Sequence, residues 1–246
     1  MNILGIDIGG SGIKGAPVDI TAGRLLSERH RIPTPRPATP PVVVEAAGEL
    51  VEHFRWKGPI GCTFPAVVKA GIVRSAANVD KAWIGADGQG LLEERSGCPV
   101  LLINDADAAG LAEMSFGAGK GRKGVVIMLT LGTGLGSALF IDGRLVPNTE
   151  FGHIEIRGKD AEDRAASRIR KEKELDWKTW AGHVNEFMGR MEVLLSPDLF
   201  IVGGGVSKKH DRFLHYIDTR AEVVPARALN EAGIIGAALA ARSVAS

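Results

Sequence analysis

Two short segments place a hydroxyl residue among closely spaced glycines: Asp7-Ile8-Gly9-Gly10-Ser11-Gly12-Ile13-Lys14 and Leu131-Gly132-Thr133-Gly134-Leu135-Gly136. Glycine lets backbone N–H groups approach phosphate oxygens, and Ser11 and Thr133 add hydroxyl donors. Lys14 adds a cation to the first segment, and Asp7, at the end of an apolar run, can hold Mg²⁺ through water. A tight hairpin with glycine at positive φ would explain one such segment. Two of them, each after a buried strand, point instead to phosphate clamping. A dinucleotide fingerprint does not fit, because the second segment leads into Ser137-Ala138-Leu139-Phe140, a strand pattern where that fingerprint needs a helix.

Between the glycine segments, the run Val100 to Ile103 ends on Asn104-Asp105. The carboxyl end of a parallel strand is where α/β sheets carry their reactive groups. Phosphoryl transfer needs a positioned acceptor hydroxyl, a carboxylate within about 2.6–3.2 Å of its proton, and clamps on the phosphates. Asp105 suits the carboxylate role, while Asn104 suits either a helix cap or a ligand contact. Downstream, Glu150-Phe151-Gly152-His153-Ile154-Glu155 sets two carboxylates and an imidazole around a glycine, a grouping suited to hydrogen bonding vicinal sugar hydroxyls. A zinc site would need further soft or imidazole partners, and no cysteine cluster follows.

The elements that must position these residues read as two cycles. Asn2 to Ile8 and Ile13 to Val18 are expected as a strand hairpin around the first glycines. Arg31 to Pro41, with five prolines, is expected as an extended loop leading into a helix over Pro41 to Trp56. Strands follow at Pro59 to Phe64, Gly71 to Ser75 and Val100 to Ile103, then a helix from Ala106. The second cycle has strands at Gly124 to Leu131 and Ser137 to Ile141, a hairpin signal at Asp142-Gly143, and a charged amphipathic stretch over Asp160 to Trp180. A helix over Val184 to Leu195, a strand at Leu199 to Val202, the turn Gly203-Gly204-Gly205 and a helix over Ala232 to Ala245 complete it. The expected class is α/β, with two βαβ-type lobes whose glycine turns face a shared cleft. The boundary is expected near residue 105: a small lobe over 1–104, completed by the helix 232–246, and a larger lobe over 105–231.

Composition fits a folded enzyme of this size and excludes other classes. In 246 residues, 45% hydrophobic and 24% charged residues match an ordinary globular protein, and a formal charge of +1 gives no field toward nucleic acid or a lipid surface. No apolar run approaches the roughly 20 residues that cross a bilayer. Cys62 and Cys98 lack disulfide or metal spacing, and the first motif begins at Asn2, so the expected location is the cytoplasm.

Taken together, Asp7 to Lys14, Asn104-Asp105, Leu131 to Gly136 and Glu150 to His153 resemble the ROK sugar kinases, of the actin and hexokinase-like (ribonuclease H-like) ATPase superfamily. Gly61-Cys62-Thr63-Phe64-Pro65, Ala76-Ala77-Asn78-Val79-Asp80 with Trp83, and Gly152-His153-Ile154-Glu155-Ile156 resemble the branch that phosphorylates glucose at O6 with inorganic polyphosphate, some members also accepting ATP. The resemblance implies the two-lobed fold with a cleft between lobes, Asp105 as base, and Asn104, Glu150 and His153 as glucose contacts. It extends to Glu155, Thr63, Pro65 and Asn78 on the sugar side. On the phosphate side it implies Asp7, Gly9, Gly10, Ser11, Gly12, Lys14, Gly132, Thr133, Gly134, Gly136, Gly204 and Gly205. The family's cysteine-rich zinc motif is absent, as in the polyphosphate-using branch, and position 66 is Ala where that branch commonly has Gly. Phe200 to Ser207 resembles the adenosine-side motif, which keeps ATP open as donor. The resemblance further implies Mg²⁺ or another divalent cation, and a homodimer or tetramer.

Three other readings fare worse. A sugar-responsive repressor of this family carries an N-terminal helix-turn-helix, for which a strand starting at Asn2 leaves no room. A non-catalytic sugar sensor loses its carboxylate, and Asp105 is intact. An ATP-dependent kinase for glucose or a related hexose remains the main alternative. Basic side chains that can serve a polyanionic donor are Lys14, Lys69, Arg74, Lys81, Lys120, Arg122, Lys123, Lys208 and Lys209.

Overall fold

The computed structural model describes residues 1–76 and 79–245. Among these the chain divides into two compact units, Met1–Ala112 with Glu231–Ser246, and Glu113–Asn230.

The first unit opens with β1 (Asn2–Gly9) and β2 (Gly12–Asp19), an antiparallel hairpin around Gly10-Ser11. Strands β3 (Arg24–Leu25) and β4 (His30–Ile32) both pair with β2. Helix α1 (Pro40–His53) begins on proline, whose fixed φ and missing N–H suit a first helical turn. Its buried residues Val43, Ala47, Leu50 and Val51 recur at helical spacing and fix the face laid on the core. Strand β5 (Ile60–Phe64) runs parallel to β1, followed by the hairpin β6 (Val68–Lys69) and β7 (Ile72–Val73). Helix α2 (Gly88–Ser96) is capped by Asp87, which accepts from the Gly90 N–H at 2.9 Å, and ends on Gly97 at φ +64°. Strand β8 (Val100–Asn104) is parallel to β5 and hands over to α3 (Asp105–Phe116), completing a sheet in the order β3-β2-β1-β5-β8. Phe64 and Trp83, ring centroids 4.4 Å apart, lie in a core with Ile6, Ile13, Leu50 and Leu102.

The second unit repeats this plan. Strands β9 (Val125–Leu131), β10 (Leu135–Ile141) and β11 (Arg144–Val146) are antiparallel neighbours. An excursion follows through β12 (Glu155–Ile156), β13 (Lys159–Asp160) and the short helices α4 (Glu162–Ala165) and α5 (Ser167–Glu172). Helix α6 (Trp177–Leu195) is capped by Asp176, which accepts from the Thr179 N–H at 2.8 Å, and buries Trp180, Val184, Phe187, Met188 and Met191. Strands β14 (Leu199–Gly203) and β15 (Glu222–Pro225) run parallel to β9 and finish the sheet β11-β10-β9-β14-β15.

Helix α7 (Ala232–Ala240) returns to the first unit and packs on β1 and β5. A Cβ at Gly61 would overlap the Ala237 carbonyl, so the small residue is what lets helix and strand approach.

Several boundaries differ from expectation. Helix α6 starts at Trp177 rather than Val184, because the Asp176 cap sits inside a stretch whose charge masked it. The strand expected over Gly71 to Ser75 is only the two residues of β7. The closing helix ends at Ala240, with a 3₁₀ turn over Ala241–Val244. The change of lobe is expected at residue 105, and the chain passes between the compact units inside α3, after Ala112. Ala108 lies against Gly236 of α7, while the buried Glu113 accepts backbone N–H bonds from Ala118 at 2.8 Å, Arg227 at 2.8 Å and Ala228 at 2.6 Å.

Candidate active site

In the first unit, polar residues line up across the ends of adjacent strands. Strand register places Lys14, Asp7 and Thr63 side by side on β2, β1 and β5. The Asp7 carboxylate accepts the Thr63 hydroxyl at 2.9 Å on one oxygen and meets Lys14 Nζ at 3.5 Å on the other. Thr63 is fully buried and its hydroxyl holds Asp7. Thr34 donates its hydroxyl to the Gly9 carbonyl, bracing the first glycine turn. Pro65 lines a cavity of about 310 Å³ with Gly9, Gly10, Phe64 and Trp83, a volume in the range of small-molecule sites.

One strand further on, Asn104 is 5% exposed and its carboxamide is committed to the backbone. Its Oδ1 accepts from the N–H of Ala106 at 2.9 Å and Asp107 at 3.1 Å, capping α3, and its Nδ2 donates to the Ala66 carbonyl at 3.1 Å. The capping role is therefore realised, and one Nδ2 hydrogen remains for a ligand. The same bond ties the loop holding Ala66 to the end of β8, and Ala66 itself is buried. Asp105 follows as the first residue of α3, exposed, with Oδ1 accepting from the Ala106 N–H at 2.8 Å. Asn78 lies outside the described residues.

In the second unit, the turn Gly132-Thr133-Gly134 is closed by a bond from Gly132 N–H to the Gly134 carbonyl at 3.0 Å and anchored by Arg168 N–H on the Gly132 carbonyl at 3.1 Å. Thr133 is exposed at its tip, and Gly136 follows in β10. Gly204, at φ +80°, rests against Leu131 and brings the turn over Gly203 to Gly205 beside this one. Ser137 reaches from β10 to hold the next segment: its hydroxyl donates to the Thr149 carbonyl at 2.8 Å and accepts from the Phe151 N–H at 3.1 Å. A Cβ at Gly152 would overlap the Leu135 carbonyl, so this glycine is what lets the Glu150 to His153 segment lie against the glycine turn.

His153 then becomes the centre of a charged group. Its Nδ1 is 2.8 Å from Asp160 Oδ2; an ionised carboxylate only accepts, so Nδ1 carries the hydrogen and Nε2 points toward Glu150 at 3.8 Å. The Asp160 bond, with the charges of Glu162 and Glu150, raises the His153 pKa above the usual histidine value against the opposing effect of partial burial. Burial likewise lifts Glu150 above the ordinary carboxylate range, opposed by His153 and reinforced by Glu162. Glu162 accepts from the Leu135 N–H at 3.3 Å and so bridges the glycine turn and this group. Trp180, fully buried, donates to the carbonyls of Ala165 at 3.1 Å and Ala166 at 3.3 Å, fixing the segment that carries Glu162.

The structure thus gathers Glu150 and His153 with Asp160 and Glu162, the last two missed by sequence reasoning because they open a stretch read only as charged and amphipathic. Glu155 is exposed on β12, opposite Asp160 in register. Arg122 is paired with Glu222 at 2.8 Å rather than held for a donor. Among the described residues no three metal-ligating side chains converge, and burial holds the Cys62 thiol protonated. Among the described residues, too, no helix is long and apolar enough to cross a membrane.

The chain is similar to known sugar kinases along most of its length. The polyphosphate glucokinase of Mycobacterium tuberculosis strain H37Rv is 50% identical over 96% of this chain and 90% of its own length. The crystal structure of an inorganic polyphosphate/ATP-glucomannokinase from Arthrobacter sp. strain KM superposes with a TM-score of 0.95 at 49% identity, covering 99% of both chains. A ROK glucokinase from Streptomyces griseus, solved with glucose and AMPPNP, gives a TM-score of 0.85 at 26% identity over 99% of this chain and 100% of that one. The fold is therefore the two-lobed, actin/hexokinase-like α/β fold of the sugar kinases. The ROK family model matches residues 3–173, and the chain belongs to the ROK family.

Proposed function

We propose that this protein phosphorylates glucose at O6, using inorganic polyphosphate as donor and giving glucose 6-phosphate. The observation that carries the reading is the exposed Asp105 at the start of α3, directly after β8, held in place by a capped strand–helix junction, in a chain 50% identical to a polyphosphate glucokinase. In the reaction the O6–H proton passes to the Asp105 carboxylate while O6 forms a bond to the terminal phosphorus. The phosphoanhydride P–O bond breaks and leaves a polyphosphate one unit shorter.

Each unit has its part. Glu150 and the His153 ring take the sugar's hydroxyls, with Asp160 fixing the ring and Glu162 adding an acceptor. The turns at Gly9 to Gly12 and Gly132 to Gly134 supply N–H and hydroxyl donors to the phosphates, so the protein has charge stabilisation ready before the bond breaks. Asp7 fits a magnesium ion, since Mg²⁺ takes one or two carboxylates and completes its shell with waters and phosphates. When bound, that ion would neutralise charge on the donor. The working form is taken as a cytoplasmic homodimer or tetramer.

ATP is the second reading for the donor, favoured by the glycine turn at Gly203 to Gly205 lying against Leu131. Glucose 6-phosphate formation measured with purified polyphosphate and with ATP, each as sole donor, tests the choice. Polyphosphate is expected to support turnover at least equal to ATP; a rate of only a few per cent of the ATP rate makes the protein an ATP glucokinase. Mannose belongs in the same assay as a second acceptor.

A further inference from the structure

Strand register extends the polar row of the first unit by one residue. Arg31 on β4 stands directly opposite Lys14 on β2, and Lys14 opposite Asp7 on β1. Like charges directly opposite on antiparallel strands repel. Asp7 offsets only one of them, through its 3.5 Å contact with Lys14. Arg31 is exposed, its guanidinium donates to the Ser11 carbonyl at 2.5 Å, and no carboxylate pairs with it among the described residues. Its Nε lies 2.6 Å from where a Cβ on Gly12 would stand, so the guanidinium lies over the glycine turn itself.

Among the described residues, four of the five guanidinium hydrogens are left for a ligand, in a planar fork whose spacing matches phosphate oxygens. The missing partner of the row is therefore an anion, at the turn whose backbone is built for phosphate. The neighbouring cavity lined by Gly9, Gly10, Thr34 and Arg36 leaves room for further units of a chain.

We infer that Arg31, opposite Lys14, is a direct contact to the phosphates of the donor at the first glycine turn. Resting on the phosphoryl-transfer reading above, it names a residue that holds the donor and not the sugar. Tripolyphosphate binding by calorimetry and steady-state kinetics with polyphosphate, ATP and glucose, on the full chain and on Arg31→Gln and Arg31→Lys, test it. Arg31→Gln is expected to raise the tripolyphosphate Kd and the polyphosphate KM about 10- to 100-fold, as loss of a charge-assisted bond does, with the glucose KM unmoved. Arg31→Lys, which keeps the charge but not the fork, is expected to lose less, and the ATP KM is expected to rise with that of polyphosphate. The salt dependence of polyphosphate use should become shallower in Arg31→Gln.

An unchanged Kd and KM in Arg31→Gln would overturn the inference. So would equal losses toward glucose and donor, or a lowered Tm with Arg31→Lys as impaired as Arg31→Gln, since a bracing role for the turn then suffices. If the wild-type protein turned over neither donor, the functional reading would fail, while the tripolyphosphate Kd would still decide whether Arg31 binds a phosphate chain.

Discussion

The two units share one plan but carry their chemistry in different places. Each has an antiparallel trio followed by two parallel strands, β3-β2-β1-β5-β8 in one and β11-β10-β9-β14-β15 in the other, with a glycine turn after the central strand. In the first unit the strand ends themselves are polar: Asp7, Thr63 and Asn104, with Asp105 next in sequence. In the second unit β14 is buried throughout, and the charged groups ride on the excursion between β11 and α6. Groups on strand ends are fixed by the ladder, whereas groups on an excursion depend on the packing beneath it. Mutations in the first unit should therefore separate chemistry from stability, and mutations in the second should mix them.

The largest expected effect is on chemistry alone. Asp105→Asn should lower kcat by about 10²–10⁴-fold while glucose affinity and Tm stay near wild type, checked by steady-state kinetics and calorimetry. Next is Trp180→Ala beneath the excursion. It should destabilise the protein by about 3–5 kcal/mol in denaturant unfolding, and at temperatures where it stays folded it should raise the glucose KM, because Glu162 loses its support. A Trp180→Ala protein with wild-type glucose KM would break the contrast between the units.

Smaller effects sharpen it. Gly152→Ala forces the Glu150 to His153 segment away from Leu135, and a displacement of about 1 Å is expected to cost up to 10²-fold in kcat/KM for glucose. Asp160→Asn should move the His153 pKa back toward the ordinary histidine value in an NMR titration. Because the folded value is raised, the stability this pair contributes is present below the ordinary value and is lost as pH rises through the raised one. The drop in Tm should accordingly be larger in mild acid than above neutrality, and small at both because the pair is half exposed.

How much of this was legible follows the same division. Asp7, Asn104 and Asp105 stand at the ends of apolar runs, so the runs that announce β1 and β8 also announce them. The glycine turns were visible because hydroxyl and glycine spacing is local. Glu162 and Asp160 were hidden, since their roles depend on α4 folding back against Trp180, a contact between distant residues that periodicity does not encode. The Thr63 bond to Asp7 was hidden, because only the parallel pairing of β1 and β5 sets the two residues side by side. Arg31 lay in a proline-rich stretch read as loop, and only the register of β4 against β2 sets it beside Lys14. Helix α2 has almost no amphipathic pattern, so its caps, Asp87 and Gly97, are what define it.

The most direct measurement of the central claim is a crystal structure of the full chain with glucose bound. A carboxylate oxygen of Asp105 is expected within about 2.6–3.2 Å of the glucose O6. Glucose seated with O6 turned away, and another hydroxyl or none at Asp105, would contradict it.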